Sequence, residues 1–472
     1  MALLTFDVGT SAVKVALFSE GGELLDSSSC PLVTRVEGRR VTQDPEVWWE
    51  GFLTGARKCL STFHGGELFI MGTGQMEDLL LLDEEGKPLQ EASLYSDSDI
   101  GDYVFPEELR RSLEEKIPNR LDNFTPLVKV MALSSSPVFQ RVRFLILGAK
   151  DYVNFRLTGN SVTDPTNAST TGFFNGYAFQ WVEETQAFFP LLPTLSSPTQ
   201  IIGRVRKEVL PLLGLEEDLE VSVFNGIGDL GAVTLGAGVL LPGEGYGYLG
   251  TTGWMALLRE APSSSKDLFS LAFLKKGEWM VVAPLLNLGN VYQWSMKTFL
   301  QSGDYAQSEA MLSQHLTTPV QVWPYLNGER TPFRNERVRA VMARLVEGTT
   351  PGELHAACLR SLLFALRHAY EALGTEIPVL RLTGGLTRGE TFVQGLSDLL
   401  RKPCQVVQED AFAPQRGLYR LFCLHRGINP PPFLVERVYT PRDHPLLEQY
   451  YREYRNFAEK LLRGEAGVPT YL

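Results

Sequence analysis

The sequence predicts an α/β protein made of two similar domains, 1–241 and 242–472. Three observations lead there. Apolar residues alternate over short runs and then give way to amphipathic stretches, as strands interleaved with helices do. A hairpin with a turn of glycine and hydroxyl residues heads each half: "FDVGTSAVKVALF" from Phe6 and "YLGTTGWMALL" from Tyr248. Each half also repeats a strand, a glycine turn and a helix, in "LEVSVFNGIGDLGAVTLGAG" and "VLRLTGGLTRGETFVQGLSDLL". A chain of 472 residues has room for two or three domains of about 150 residues.

The elements follow in order. Leu3 to Phe6 is extended chain, and Val13, Val15 and Leu17 alternate with Lys14, Ala16 and Phe18 beyond the turn Asp7-Val8-Gly9-Thr10-Ser11. Asp44 suits an N-cap and Pro45 the first helical position of "PEVWWEGFLTGARKCL". "LFIMGTGQMEDLLLLDEEGKPLQ" reads as strand, glycine-rich turn, strand and hairpin turn, and "PEELRRSLEEKI" as a solvated helix. The segment "HPLLEQYYREYRNFAEKLL" is helical, with Leu447, Tyr450, Tyr454 and Leu461 near one packing face.

Composition narrows the function. Hydrophobic residues make up 44% and charged residues 21%, the balance of a globular protein. A net charge of −11 and the lack of a Lys/Arg-rich run argue against a nucleic-acid partner. An acidic protein that handles an anionic cofactor must gather positive potential locally, through backbone amides or a metal. Cys30, Cys59, Cys358, Cys404 and Cys423 are scattered and form no C-x-x-C pair, which fits reduced thiols. No run reaches the ~18 apolar residues of a membrane span, and "MALLTFDVGT" lacks the basic region of a secretory signal. A cytoplasmic protein without a membrane partner is expected.

Several motif matches fail on physical grounds. "GIGDLG" fits G-x-G-x-x-G, but Asp229 would repel the pyrophosphate of a dinucleotide. "SAVK" lies within strand alternation, and no G-x-x-x-x-G-K-[ST] occurs. His355 with Cys358, and Cys423 with His425, read as core or surface residues without two clean pairs of zinc ligands. What remains is a set of glycine turns, Gly9-Thr10-Ser11, Gly250-Thr251-Thr252 and Gly384-Gly385, with the acids Asp7 and Asp229 at strand ends. Glycine lets backbone amides approach a phosphate. One acid could hold magnesium through water and the other could take a proton from an attacking hydroxyl, which together make a phosphoryl-transfer site without a P-loop.

In this order the motifs resemble the FGGY carbohydrate kinases of the sugar-kinase, actin and heat-shock-chaperone superfold, and most of all the xylulokinase branch. "GQMEDLLLLDEEGKPL", "NFTPLVKVMAL", "KDYVNFRLTG", "TDPTNAST", "LGNVYQW" and "YLNGERTP" carry the resemblance with the turns above, over essentially the whole chain. It implies two actin-like domains with an active-site cleft between them. It places Asp7 near magnesium and the γ-phosphate, and Asp229 as the catalytic base. Gly9, Thr10, Ser11 and Lys14 line the first phosphate turn; Gly250, Thr251, Thr252, Gly289, Gln293, Gly384, Gly385 and Gly389 fall at nucleotide positions. Gln75, Met76, Glu77, Asp97 and Asn123 fall, with Asp229, where the sugar is held.

The chain departs from the family at a few places. Glu77 stands where a xylulokinase has His, and Asp97-Ser98-Asp99 replaces Asp-x-Arg. Gly389 stands where Ser or Asn is common, and Arg416, Leu418 and Tyr419 are bulky in a segment expected near adenine. The expected activity is ATP- and magnesium-dependent phosphorylation of a small neutral ketose or polyol, with a homodimer allowed. Glycerol, ribulose or gluconate are alternative substrates, and a non-catalytic sugar-binding relative is the rival from another class.

Overall fold

The computed structural model describes residues 1–407 and 412–464. They form two compact units. The first comprises Met1–Gly238, Ser270–Trp279 and residues 412–432; the second comprises Val239–Phe269, residues 280–407 and residues 433–464. Two segments of the second half of the chain therefore fold with the first unit.

In the first unit the opening hairpin pairs β1 (Ala2–Val8) with β2 (Ala12–Ser19), and β3 (Leu24–Pro31) adds beyond β2. Helix α1 (Pro45–Leu60) begins at Asp44, whose carboxylate accepts from the Glu46 amide, with Pro45 at its first position. It packs Trp48, Trp49 and Phe52 into the core, where Phe6 and Phe52 meet edge to face. Each such buried aromatic is worth about 1.5–3 kcal/mol.

β4 (Leu68–Gly74) lies parallel to β1, and β5 (Met76–Leu82) starts one residue later in a different sheet, beside β6 (Phe144–Gly148). The glycine-rich stretch expected to turn is thus strand, and Gln75 is the point at which the chain changes sheet. Helices α2 (Pro126–Leu133) and α3 (Ala149–Thr158) follow, then β7 (Ile201–Arg204), β8 (Val221–Phe224) and α4 (Asp229–Gly236). The main sheet runs β7-β8-β4-β1-β2-β3. The helix Ala413–Arg426 packs on α4 so closely that a Cβ on Gly417 would lie 2.0 Å from the Ala232 carbonyl oxygen.

The second unit repeats this plan. Its hairpin is β9 (Gly245–Leu249) and β10 (Gly253–Arg259), with β11 (Trp279–Leu285) beyond β10. Helices α5 (Gly289–Ser295), α6 (Tyr305–His315) and α7 (Pro351–Ala372) precede β12 (Leu380–Thr383), α8 (Glu390–Leu400) and β13 (Cys404–Val407). β14 (Val435–Tyr439) closes the order β11-β10-β9-β12-β13-β14. In both units the first hairpin strand has two parallel neighbours in succession and then an antiparallel edge strand. The two similar α/β domains read from the paired hairpins are present. Helix α9 (Pro445–Leu462) buries Leu447, Tyr450, Tyr454 and Leu461, the stripe expected from the sequence. No helix of the described residues is long and apolar enough to cross a membrane.

Candidate active site

Asp7 stands near the end of β1, opposite Lys14 across the hairpin. Its side chain is buried, and desolvation pushes its carboxyl up to about 6 against the pull of the Lys14 charge. The turn beyond it is anchored from behind. The Thr10 hydroxyl donates to Gln75 Oε1 at 3.0 Å, and Gln43 Nε2 donates to the Thr10 carbonyl at 2.7 Å. Trp48 Nε1 and Gln75 Nε2 both donate to Gln43 Oε1, at 2.7 and 3.2 Å. Gln75 is therefore tied to the turn beyond Asp7. Gln43, 2% exposed, is a partner the sequence reading missed.

Asp229 opens α4 with its side chain only partly exposed. Desolvation pushes its carboxyl up to about 7; the Asp7 charge adds to the rise, and the Leu230 amide, donating at 2.7 Å, opposes it. The glycines ahead of it serve packing. Gly226 has φ +74° and presses on β4, where a Cβ would lie 1.9 Å from the Gly72 carbonyl oxygen. At Gly228 a Cβ would meet Met76 Sδ at 2.5 Å, which sets Met76 beside the approach to Asp229. The structure thus brings Asp7, Lys14, Asp229 and Met76 into one neighbourhood, with Gly9, Thr10 and Ser11 on the adjoining turn.

Glu77 interrupts β5. Its φ of 63° is left-handed, and the pairing with β6 shifts register between Met76 and Leu80. A non-glycine residue held there costs of order 1–3 kcal/mol, and such strain clusters at functional sites. Next to it Asp78 is fully buried, with one carboxyl oxygen unpartnered and the other accepting from the Tyr95 amide at 3.2 Å. Burial raises the Asp78 carboxyl well above its ordinary value, against the attraction of Lys129, while Asp229 and Glu77 push the same way as burial. Lys129, 3% exposed on α2, feels Asp97, Glu77 and Asp78 together, and its Nζ donates to the Leu94 carbonyl at 2.8 Å. Neither Asp78 nor Lys129 was singled out as a site residue. An acid inside the apolar run "LLLL" was the available signal for the first, and the lysine of "NFTPLVKVMAL" for the second.

Asp97 is placed differently from the other sugar candidates. It accepts from the Ser93 hydroxyl at 2.6 Å and the Asp99 amide at 3.0 Å, and it lines a separate pocket of about 290 Å³ with Lys129, Asp99 and Arg40. Asn123 is half-buried on the loop before α2, and no hydrogen bond among the described residues joins it to the acids.

The second unit carries a pocket of about 600 Å³ built on the repeated hairpin. Six of the residues expected at nucleotide positions, Gly250, Thr251, Gly289, Gln293, Gly385 and Gly389, line it. Thr252 and Gly384 do not. Thr252 supplies the carbonyl that accepts from the Gly250 amide at 3.1 Å, and Gly384, with φ +105°, lets the chain pass against the Leu249 backbone. The sequence reading missed Tyr248, Tyr292, Tyr305, Glu309 and Arg388, which add to the lining from β9, α5, α6 and the turn before α8.

The bulky residues expected near adenine are not in the lining of this pocket. Leu418 and Tyr419 are buried in the first unit, Tyr419 beside Phe18 with its hydroxyl donating to the Glu20 carbonyl at 2.7 Å; Arg416 is exposed on the same helix. None of the three lines the 600 Å³ pocket. Tyrosine and leucine at these positions fill a core and do not alter that pocket.

Among the described residues no group of three or more His, Cys, Asp or Glu is arranged to hold a metal ion. Asp7 and Asp229 nevertheless fit one bound through water. Both are hard oxygen donors whose protonated form is favoured by burial, with the Asp7 charge adding to the rise at Asp229, and a divalent cation would offset that cost.

Residues 2–236 match the family model described as "FGGY family of carbohydrate kinases, N-terminal domain", and residues 245–414 match its C-terminal counterpart. A xylulose kinase of Klebsiella pneumoniae is 28% identical, over 93% of this chain and 94% of the relative. A gluconokinase of Bacillus subtilis is 26% identical, over 84% and 82%. The crystal structure of a ligand-bound xylulose kinase from Lactobacillus acidophilus superposes with a TM-score of 0.89 at 21% identity, over 99% of both chains.

Proposed function

We propose that this chain, which belongs to the FGGY family of carbohydrate kinases, transfers the γ-phosphoryl group of ATP to a hydroxyl of a small neutral ketose or polyol, with D-xylulose the first candidate. The observation that carries the reading is the desolvated acid pair of the first unit, buried Asp7 beside partly exposed Asp229, whose carboxyl is pushed up to about 7. A carboxylate with a pKa of about 7 is matched to accept the proton that the acceptor hydroxyl loses as its oxygen attacks phosphorus. Phosphoryl transfer otherwise demands positioning and charge neutralisation. The amides of Thr10 and Ser11, on a turn closed by the Gly9 amide donating to the Ala12 carbonyl and held by the Thr10–Gln75–Gln43 bonds, suit the γ-phosphate oxygens. Lys14 is the nearby cation. Asp7 would hold magnesium through water, and the ion, when bound, neutralises phosphate charge. The nucleoside is assigned to the pocket of the second unit.

The choice of acceptor rests on charge. Glu77 and Asp78 face one buried cation, Lys129, with Asp97 on the same lysine. An ionised Glu77 accepts hydrogen bonds from neighbouring hydroxyls and cannot donate. A substrate carboxylate would meet repulsion there, strengthened by the low local dielectric. An ATP-consumption assay over D-xylulose, D-ribulose, glycerol and gluconate tests the proposal. Turnover of a ketose or polyol is expected. Turnover of gluconate alone would overturn the acceptor assignment, and ATP consumption with none of them would remove the support for a catalytic role.

A further inference from the structure

A closed set of buried polar contacts lies behind the nucleotide pocket and begins and ends on one residue. The Ser308 hydroxyl donates to Tyr292 Oη at 2.7 Å, and Ser308 Oγ also lies 2.7 Å from His355 Nε2. On the other side of the ring, His355 Nδ1 lies 3.0 Å from Ser295 Oγ, and the Ser295 hydroxyl donates to the Tyr292 carbonyl at 2.8 Å. Ser295, Ser308 and His355 are fully buried. They come from α5, α6 and α7, so the set fixes three helices around Tyr292. Burial lowers the imidazole to about 4, so it is neutral at working pH. A neutral ring has one donor nitrogen. Because Ser308 gives its proton to the phenol, its oxygen is left to accept from the ring, which makes Nε2 the donor nitrogen and Nδ1 the acceptor on the Ser295 side.

Tyr292 is 3% exposed, and the face it shows belongs to the pocket wall. Its ring stacks on Tyr305, which also lines the pocket, with centroids 5.7 Å apart and planes at 29°. We infer that Ser308 and His355 are positioning residues for nucleotide affinity: they hold the Tyr292 ring at its hydroxyl and, through Ser295, at its backbone carbonyl, and so fix the aromatic wall against which the base of the nucleotide packs. The inference rests on the assignment of the nucleoside to this pocket. Neither residue touches the nucleotide.

ADP affinity by titration calorimetry, together with the steady-state constants for ATP and sugar, tests it. Ser308→Ala should weaken ADP binding and raise KM for ATP about 5–10-fold, the worth of one net hydrogen bond of good geometry, while kcat and the sugar KM hold. Tyr292→Phe keeps the ring and its volume and guards against a misfolded variant; it should weaken ADP binding by a similar factor. The double variant should bind ADP no more weakly than Tyr292→Phe alone, because Ser308 acts through the phenol. A lowered melting temperature for Ser308→Ala with unchanged ADP affinity, or single effects that multiply in the double variant, would overturn the inference and leave the nucleotide assignment standing. If the unmodified protein binds no ADP, both the inference and the assignment fall.

Discussion

Replacing Asp229 by Asn should slow the enzyme and, at alkaline pH, stabilise it. The native carboxyl titrates at about 7, where an unfolded aspartate titrates at 3.8. The folded state therefore keeps a proton that the unfolded chain releases, and stability falls as the pH rises from about 4 through 7. The gap corresponds to about 4 kcal/mol of destabilisation fully developed above pH 7. Two corrections reduce it. The side chain is partly exposed, so solvent screens some of the cost. The charge also favours the N-terminus of α4, an interaction worth about 0.3–1 kcal/mol that Asn loses. A net gain of about 1–2 kcal/mol at pH 8 remains, or about 2–8 °C in melting temperature for domains of this size. Asn can still accept from the Leu230 amide, so the helix start is kept. The assay is thermal unfolding of wild type and Asp229→Asn in magnesium-free buffer at pH 5 and pH 8, beside kcat. Stabilisation should appear at pH 8 and shrink to less than half at pH 5, with kcat lowered about 10²–10⁴-fold. Equal melting temperatures at pH 8, or near-wild-type turnover, would refute the picture of a desolvated general base.

Further outcomes follow from the same contacts. Asp7→Asn removes the charge that helps hold the Asp229 proton, so the acid limb of kcat/KM should move to lower pH as the rate drops and the magnesium requirement changes; an unmoved limb separates the two acids. Glu77→His exchanges an acceptor-only group for a donor, and should shift preference among acceptors towards D-xylulose in a competition assay, with KM for ATP within about twofold; a changed ATP KM with unchanged acceptor preference would contradict its placement. Tyr419→Phe removes the hydrogen bond to the Glu20 carbonyl and should lower the melting temperature by about 2–4 °C, for about 1 kcal/mol, without altering KM for ATP; a weakened ATP KM would return this segment to the nucleotide pocket.

What could be read from the chain divides by the range of the interactions involved. Hairpin turns, the caps of α1 and the stripe of α9 are set by residues within a few positions of one another, and period and turn chemistry expose them. The acids at the end of β1 and at the start of α4 were legible for the same reason: a carboxylate beside a glycine turn contradicts its apolar surroundings unless it serves chemistry. Glu77 shows where local reading stops. Its neighbours "QMEDLLLL" look like uninterrupted strand, yet the chain changes sheet at Gln75 and Glu77 takes a left-handed φ of 63°. Nothing local demands that conformation; it follows from passage between two sheets. Lys129 lies 52 positions from Glu77 in sequence, and only the packing of α2 on the second sheet makes it the counter-charge to Glu77, Asp78 and Asp97. The placement of Arg416, Leu418 and Tyr419 outside the pocket of the second unit has the same origin. A helix rich in apolar residues must bury a face, but which core receives it is decided by close approach between Gly417 and α4, a contact nearly two hundred residues apart in sequence. Chemistry-bearing residues announce themselves by breaking a local pattern, whereas their partners conform to one, so sequence finds the acids and the fold is needed to find what holds them.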